Sequence, residues 1–156
     1  MKRNVILVLD ADADTAGAVA TAAAELNCDV RFVRSSRDFF HFCHEDFEDL
    51  VAIVLDVDPG VHGMAILEAL DACENTPPII VVSALEEHRL SSVVREHGAI
   101  ACLGKPLSFV RLANAVQEAL AIAVATAPGC DVWGHIKTCG HSCRRTNALC
   151  ELAGRK

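Results

Sequence analysis

The stretch VAIVLD, at residues 51–56, is a run of apolar residues that ends in a carboxylate, and it decides the fold. Three similar runs accompany it: VILVLD at 5–10, IIVVS at 79–83 and IACLGKP at 100–106. In a chain that alternates strands with helices, such runs predict buried parallel strands, whose carboxyl ends meet at one edge of the sheet. Four polar residues are therefore expected to share one crevice: Asp10, Asp56, Ser83 and Lys105.

The segments between these runs have helical spacing, and turn residues separate them. Pro59-Gly60 is expected to lead into the third helix, Gly98 to end the fourth, and Pro128-Gly129 to stop the fifth. Asp14 or Thr15 is expected to cap the first helix. The alternation predicts an α/β fold of the flavodoxin-like (βα)5 type, with a doubly wound five-stranded parallel sheet in the order 2-1-3-4-5.

The chemistry of the crevice suits a divalent cation and a phosphoryl group. Mg²⁺ prefers hard oxygen ligands such as carboxylates, and a lysine neutralises phosphate oxygens. Asp56 is the candidate nucleophile, because a carboxylate held beside a metal and a lysine can attack a phosphoryl group in line. The alternative at this position is a strand-end aspartate that only caps the next turn.

At these residues the chain resembles the receiver domain of two-component response regulators, the CheY-like superfamily. The resemblance covers roughly residues 4–124. It rests on five features in a fixed order: LDADADT at 9–15, Asp56, DPGVHG at 58–63, Ser83-Ala84 and Lys105-Pro106.

The resemblance implies a role for each residue of the crevice. Asp56 is the expected phosphoacceptor, Ser83 is expected to bond a phosphoryl oxygen, and Lys105 is expected to bridge Asp56 and the phosphoryl group. The expected Mg²⁺ ligands are Asp10, Asp56 and Asp58, and the binding is expected to be weak.

Three positions depart from the family's pattern and make this an atypical receiver. The second acidic position after the first strand is Ala11, and Cys102 stands where a switch aromatic is usual. The loop between Asp56 and Pro59 is one residue shorter than usual. Loss of one carboxylate weakens Mg²⁺ binding. A second function class therefore stays open, a degenerate receiver that acts as an interaction module or as a metal or redox sensor without phosphorylation.

The composition predicts one compact domain. A chain of 156 residues with 52% hydrophobic content can bury a core of ordinary size. The start MKRN leads straight into a short strand, so we expect no signal peptide, and no apolar run has the length of a membrane span. We therefore expect a cytoplasmic protein whose eight cysteines are reduced.

The sequence predicts two parts, a receiver domain at residues 1–126 and a Cys/His-rich extension at residues 127–156. The extension carries a net charge of +3, whereas the rest carries −10. A zinc ion or an iron–sulfur cluster is one interpretation of the extension, with four candidate ligands: Cys130, Cys139, Cys143 and Cys150. Their irregular spacing favours the other interpretation, a short helix that packs on the receiver domain without metal.

The function that the resemblance implies is a stand-alone phosphoacceptor in a two-component phosphorelay, and not an enzyme. Its expected partners are a sensor histidine kinase or histidine phosphotransfer protein and a downstream protein. The fifth helix has only Glu118 as a charge after Arg111, so its wide apolar stripe predicts a cover by the extension or by a second chain in a homodimer. The net charge of −7 argues against nucleic acid as a partner, and no membrane partner is expected.

Overall fold

A computed structural model describes residues 3–10, 12–45, 49–58, 62–73 and 76–125 of the chain. Strands and helices alternate within these residues, as the sequence predicts. In chain order the elements are β1 (Val5–Leu9), α1 (Ala13–Glu25), β2 (Asp29–Val33), α2 (Ser36–Glu45), β3 (Leu50–Asp56), α3 (Gly63–Asp71), β4 (Ile79–Ser83), α4 (Glu87–Glu96), β5 (Ala99–Gly104) and α5 (Phe109–Ala125).

The strands form one parallel sheet in the order β2-β1-β3-β4-β5. The predicted fold class and strand order are therefore confirmed. In the register of the sheet, Leu9 of β1 pairs with Leu55 of β3, and Asp56 pairs with Val82 of β4. The carboxyl ends of these strands consequently lie at the same edge.

Both faces of the sheet are covered, which explains why its strands read as continuous apolar runs. Alternate residues of β1 and β3 point to opposite sides. One core contains Leu7, Leu9, Ile53 and Leu55 together with Phe39 of α2. The other contains Ile6, Val8, Ala52 and Val54 together with Leu112 of α5. Each fully buried leucine or isoleucine contributes about 2 kcal/mol relative to its exposed state, so these central strands fix the edge on which the site is built.

The start of α1 differs from the prediction. Asp12 caps this helix, since its side chain accepts a hydrogen bond of 3.0 Å from the backbone N–H of Asp14. The predicted caps, Asp14 and Thr15, lie inside the first turn instead. Aspartate recurs at every second position here, and each can serve as a cap, so the sequence alone did not select the right one.

The end of α4 agrees with the prediction. Gly98 follows this helix and has a φ of 87°.

The apolar stripe of α5 packs mostly against the sheet. Its buried residues are Leu112, Ala115, Val116 and Ala119. Among the described residues of this helix, the exposed large apolar side chains are Phe109 and Val110, which are 39% and 65% exposed. Both lie in the first turn, so among the side chains of α5 that the structure describes, the large exposed apolar ones are at the start of the helix.

Several predictions fall on residues that the structure does not describe. They concern the domain boundary at 126/127 and the candidate metal ligands of the extension, Cys130, Cys139, Cys143 and Cys150. These stay predictions. The covering of α5 by the extension or by a second chain also stays a prediction. In the part of the chain that is described, no helix combines the length and apolar character needed to span a membrane.

Candidate functional site

Four polar groups meet at the edge where the strands end. Asp10 directly follows β1, Asp56 ends β3, Ser83 ends β4, and Lys105 directly follows β5. The backbone N–H of Lys105 donates to the carbonyl oxygen of Ser83 at 2.8 Å, which extends the pairing of β4 and β5 into the site. Asp10, Asp56 and Ser83 are 5%, 3% and 1% exposed. The structure thus brings together the residues that the sequence singled out.

The Lys105 ammonium lies among three carboxylates. Its Nζ is 3.1 Å from Asp10 Oδ2, 3.2 Å from Asp56 Oδ2 and 3.2 Å from Asp58 Oδ2. Three negative charges face one positive charge, so the ionised cluster keeps an excess of two negative charges. Such a cluster attracts further positive charge, as a cation-binding site requires.

The Asp58 carboxylate faces the end of β4. The Ser83 hydroxyl donates to Asp58 Oδ1 at 2.5 Å, and the backbone N–H of Ala84 reaches Oδ1 at 2.9 Å and Oδ2 at 3.1 Å. With the Lys105 ion pair, Asp58 is bound by a hydroxyl, an amide and an ammonium. These three donors together form a pocket for an oxyanion, which we call the donor pocket.

Asp56 is a buried carboxylate with an altered acidity. Burial raises the pKa of Asp56 to about 6, and the negative charge of Asp10 acts in the same direction. The hydrogen bond of 2.8 Å from the backbone N–H of Asp58, and the ion pair with Lys105, act in the opposite direction. Asp56 is therefore mostly ionised at neutral pH, which a nucleophilic carboxylate requires.

The charges of Asp58 and Lys105 are held in their ionised forms. Burial acts to raise the pKa of Asp58, but hydrogen bonds from Ser83 and Ala84 and the contact with Lys105 hold it below its ordinary value. Burial acts to lower the pKa of Lys105, but Asp10 and Asp56 hold it above its ordinary value. Both groups are thus charged at neutral pH.

The raised pKa of Asp56 makes stability depend on pH. The folded chain binds this proton more tightly than the unfolded chain, so the contribution of Asp56 is present below about pH 4 and is lost as the pH rises through about 6. We expect Asp56→Asn to increase the free energy of unfolding at neutral pH by on the order of 1 kcal/mol. Urea denaturation at several pH values measures this gain.

The gain should vanish below about pH 3, where Asp56 is protonated in both the folded and the unfolded chain. Glu118→Gln, on the exposed side of α5, is the control and should change stability by less than about 0.5 kcal/mol. If Asp56→Asn is less stable than the wild type at neutral pH, the charge repulsion inferred for this cluster is wrong.

Two of the predicted metal ligands fit Mg²⁺ and the third is engaged elsewhere. Asp10 Oδ2 is buried and accepts no hydrogen bond of good geometry, although Lys105 lies beside it. Among the described residues, no group of three or more His, Cys, Asp or Glu is arranged to hold a metal. Mg²⁺ commonly binds through one or two protein carboxylates and keeps several of its waters. Asp10 and Asp56 can supply the two carboxylates. The role of Asp58 as a ligand stays a prediction, since it requires Asp58 to leave Ser83.

Comparison with known proteins agrees with this geometry. The family model for the response regulator receiver domain matches residues 6–117. The chain belongs to this family. The resemblance inferred from the sequence is therefore confirmed. A comparison with curated proteins gives no match.

Solved structures of distant receivers share the fold. The signal receiver domain of a protein described as a LuxO repressor, from Vibrio parahaemolyticus, is 22% identical, with 79% of this chain and 94% of that chain covered and a TM-score of 0.69. A response regulator from Thermotoga maritima is 21% identical, with 76% and 98% covered and a TM-score of 0.66. A CheY-like receiver domain protein from Methanospirillum hungatei is 17% identical, with 80% and 99% covered and a TM-score of 0.67. At such identities the likeness shows the fold alone.

Sequence reasoning missed the role of Gly63 in this receiver. Gly63 begins α3, and a Cβ atom built on it would lie 1.8 Å from the carbonyl oxygen of Asp56 and 3.0 Å from Cα of Val57. Only glycine lets the helix approach the strand end so closely. The glycine was visible in DPGVHG, but the sequence does not show which backbone it touches.

Glu87 is a second residue that the sequence did not reveal. Its carboxylate accepts a hydrogen bond of 3.2 Å from the backbone N–H of Gly104 and two from the guanidinium of Arg111. The hydrogen bonds from Arg111, opposed by burial, hold the pKa of Glu87 below its ordinary value. Glu87 thus ties the start of α4 to the residue before Lys105. Its partners are distant in the sequence, so no local pattern predicts them.

Three of the four cysteines in the described residues are poor candidates for redox chemistry. Cys28, Cys43 and Cys102 are buried, and burial raises the pKa of each thiol, to about 12 for Cys43. A thiol reacts as its thiolate, so these groups are held in the unreactive form. Cys102 packs in the core beside α4 instead of occupying a surface position. A redox role would therefore depend on Cys73, which is partly exposed, or on the extension.

Proposed function

We propose that this receiver accepts a phosphoryl group on Asp56 from a phosphohistidine of a sensor histidine kinase or a histidine phosphotransfer protein. One observation supports the proposal above others. Asp56 lies 3.2 Å from the Lys105 ammonium at the same sheet edge as the Ser83 hydroxyl and the Ala84 amide. Receiver domains generally bind Mg²⁺ at the phosphorylation site and interact with a kinase or phosphotransfer partner.

In the proposed step, an oxygen of the Asp56 carboxylate forms a bond to phosphorus while the bond from phosphorus to the donor's imidazole nitrogen breaks. The electron pair of that bond stays on the ring nitrogen, which takes up a proton. Lys105 offsets the negative charge on the phosphoryl oxygens, and Ser83 and Ala84 are placed to donate hydrogen bonds to them. In this proposal the chain is the acceptor in its partner's reaction and not an enzyme.

Asp10 and Asp56 are the residues that would hold Mg²⁺. When bound, Mg²⁺ supplies positive charge that reduces the repulsion between the acceptor carboxylate and the incoming phosphoryl oxygens. The expected binding is weak, because Ala11 supplies no carboxylate and Asp58 is bound to Ser83 and Ala84.

The test is phosphorylation of the full chain by acetyl phosphate, followed by intact mass. The wild type should gain the mass of one phosphoryl group in the presence of Mg²⁺ and far less without it, since the acceptor site carries an excess of negative charge. Asp56→Asn should gain none, because an amide oxygen is a poor nucleophile. A chain that gains no mass at any Mg²⁺ concentration, or an Asp56→Asn variant that gains as much as the wild type, would contradict the proposal.

A second candidate function is a degenerate receiver that binds its downstream protein without phosphorylation. The observation that favours it is the occupied donor pocket, since Asp58 already supplies an anion to Ser83 and Ala84. Binding of that protein would then be equal for the wild type and Asp56→Asn, and insensitive to acetyl phosphate. Under either function, a cytoplasmic location, a downstream protein partner and action without a separate output domain stay predictions.

A further inference from the structure

We propose that the Asp58 carboxylate is a built-in occupant of the donor pocket, and that a phosphoryl group on Asp56 must displace it. The pocket is formed by the Ser83 hydroxyl, the Ala84 amide and the Lys105 ammonium, and Asp58 contacts all three. The competition rests on the proposed function, whereas the occupancy is a property of the folded chain. Asp58 thereby controls how readily this receiver is modified.

The protons of the pocket are fully used. The Ser83 hydroxyl has one proton, which it donates to Asp58, while its oxygen accepts from the backbone N–H of Leu85 at 3.0 Å. The single N–H of Ala84 is shared between the two oxygens of Asp58. The three N–H bonds of Lys105 face three carboxylates. A new oxyanion can therefore gain hydrogen bonds here only if an existing acceptor leaves.

The position of the pocket makes it the place that a group on Asp56 would reach. Asp56 pairs with Val82 in the register of the sheet, and the backbone N–H of Val57 donates to the Val82 carbonyl at 3.2 Å. Ser83, the last residue of β4, and Ala84, directly after the strand, are the next residues along the chain beyond this pairing. A phosphoryl group extending from Asp56 past the strand end would approach the same donors as Asp58.

Charge also prevents the two anions from sharing the pocket. Asp58 and a phosphoryl group are both negative, and Lys105 is the only cation in contact with the Asp56 and Asp58 carboxylates among the described residues. Like charges in a partly buried site repel strongly. The side chain of Asp58 is 19% exposed, so it has a path to solvent when it is displaced. Asp58 therefore exchanges with the phosphoryl group and does not coexist with it.

The experiment compares the wild type with Asp58→Ala and Asp58→Asn in the full chain. The first readout is amide hydrogen exchange at Ala84. Loss of the acceptor in Asp58→Ala should speed this exchange by about tenfold or more, and Asp58→Asn, which keeps one acceptor oxygen, should lie between. The second readout is the initial rate of phosphorylation by acetyl phosphate. Emptying the donor pocket should raise this rate by about tenfold or more, because only molecules whose pocket is free of Asp58 can accept the phosphoryl group.

Glu86→Gln is the matched control. It removes a carboxylate two residues from Ala84, and Glu86 pairs with Arg89 on the surface. It should leave both readouts at wild-type values, which separates release of the pocket from a general loss of negative charge. Unchanged Ala84 exchange in Asp58→Ala would overturn the occupancy. Equal or slower phosphorylation of Asp58→Ala would overturn the competition. Failure of the proposed function has a different signature: no chain gains mass, while Ala84 exchange still responds to Asp58→Ala.

Discussion

Gly63→Ala is expected to destabilise the receiver by about 3 kcal/mol or more. The added Cβ would lie 1.8 Å from the carbonyl oxygen and 2.8 Å from the carbonyl carbon of Asp56. Both atoms belong to backbone at the end of a buried strand, so no flexible side chain can move aside. Either α3 or the end of β3 must shift, and the shift moves Asp56. Chemical denaturation measures the loss, and acetyl phosphate labelling should fall with it.

Gly17→Ala is the matched control for this substitution. Gly17 lies within α1, and a Cβ built on it would meet no atom within 4 Å beyond its chain neighbours and the backbone of its own helix. Alanine loses less backbone entropy than glycine in a helix, so this variant should gain about 0.5–1 kcal/mol. A loss of stability in Gly63→Ala together with a gain in Gly17→Ala would support the close approach of α3 to Asp56. A Gly63→Ala variant as stable as the wild type would show that α3 does not press on Asp56.

Lys105→Met is expected to cost about 3 kcal/mol of stability at neutral pH. The variant leaves the carboxylates of Asp10, Asp56 and Asp58 without their shared cation. The pKa of Asp58 is lowered in the folded chain, so the contribution of this pairing is present above about pH 4 and is lost as the pH falls. The difference between variant and wild type should therefore shrink in acid.

Arg89→Met supplies the comparison for Lys105→Met. Arg89 pairs with Glu86 at 2.9 Å, but both side chains are more than half exposed, so the loss should be below about 1 kcal/mol. Denaturant titrations at neutral and acidic pH give the loss of stability of each variant at each pH. Equal losses at the two sites would mean that the Lys105 cluster is no more than a surface charge pair.

The fold was predictable because its central strands are buried on both faces. Runs such as VILVLD and VAIVLD leave few alternatives to a parallel sheet, and the polar residue that ends each run must lie at the sheet edge. Asp10, Asp56, Ser83 and Lys105 were therefore found from the sequence. The cap of α1 was not, since alternate aspartates offered several caps with the same chemistry.

The sequence could not predict which way the side chain of Asp58 points. Its position two residues after Asp56 predicts nearness to the site, and that nearness suggested a metal ligand. Which donors it meets depends on the β4 end, 25 residues away for the contact with Ser83. Gly63 and Glu87 were missed for the same reason, because their partners come from other elements. Sequence patterns locate residues along strands and helices, whereas side-chain competition for donors is decided by packing.

Identification of the modified residue tests the central proposal most directly. The full chain is treated with acetyl phosphate and Mg²⁺, the acyl phosphate is reduced with borohydride, and peptides are sequenced by mass spectrometry. The account predicts that homoserine replaces aspartate at position 56 and that Asp10, Asp12 and Asp58 stay intact. Reduction at one of those three residues, or recovery of unmodified Asp56 from a chain that carries the added phosphoryl mass, would contradict it.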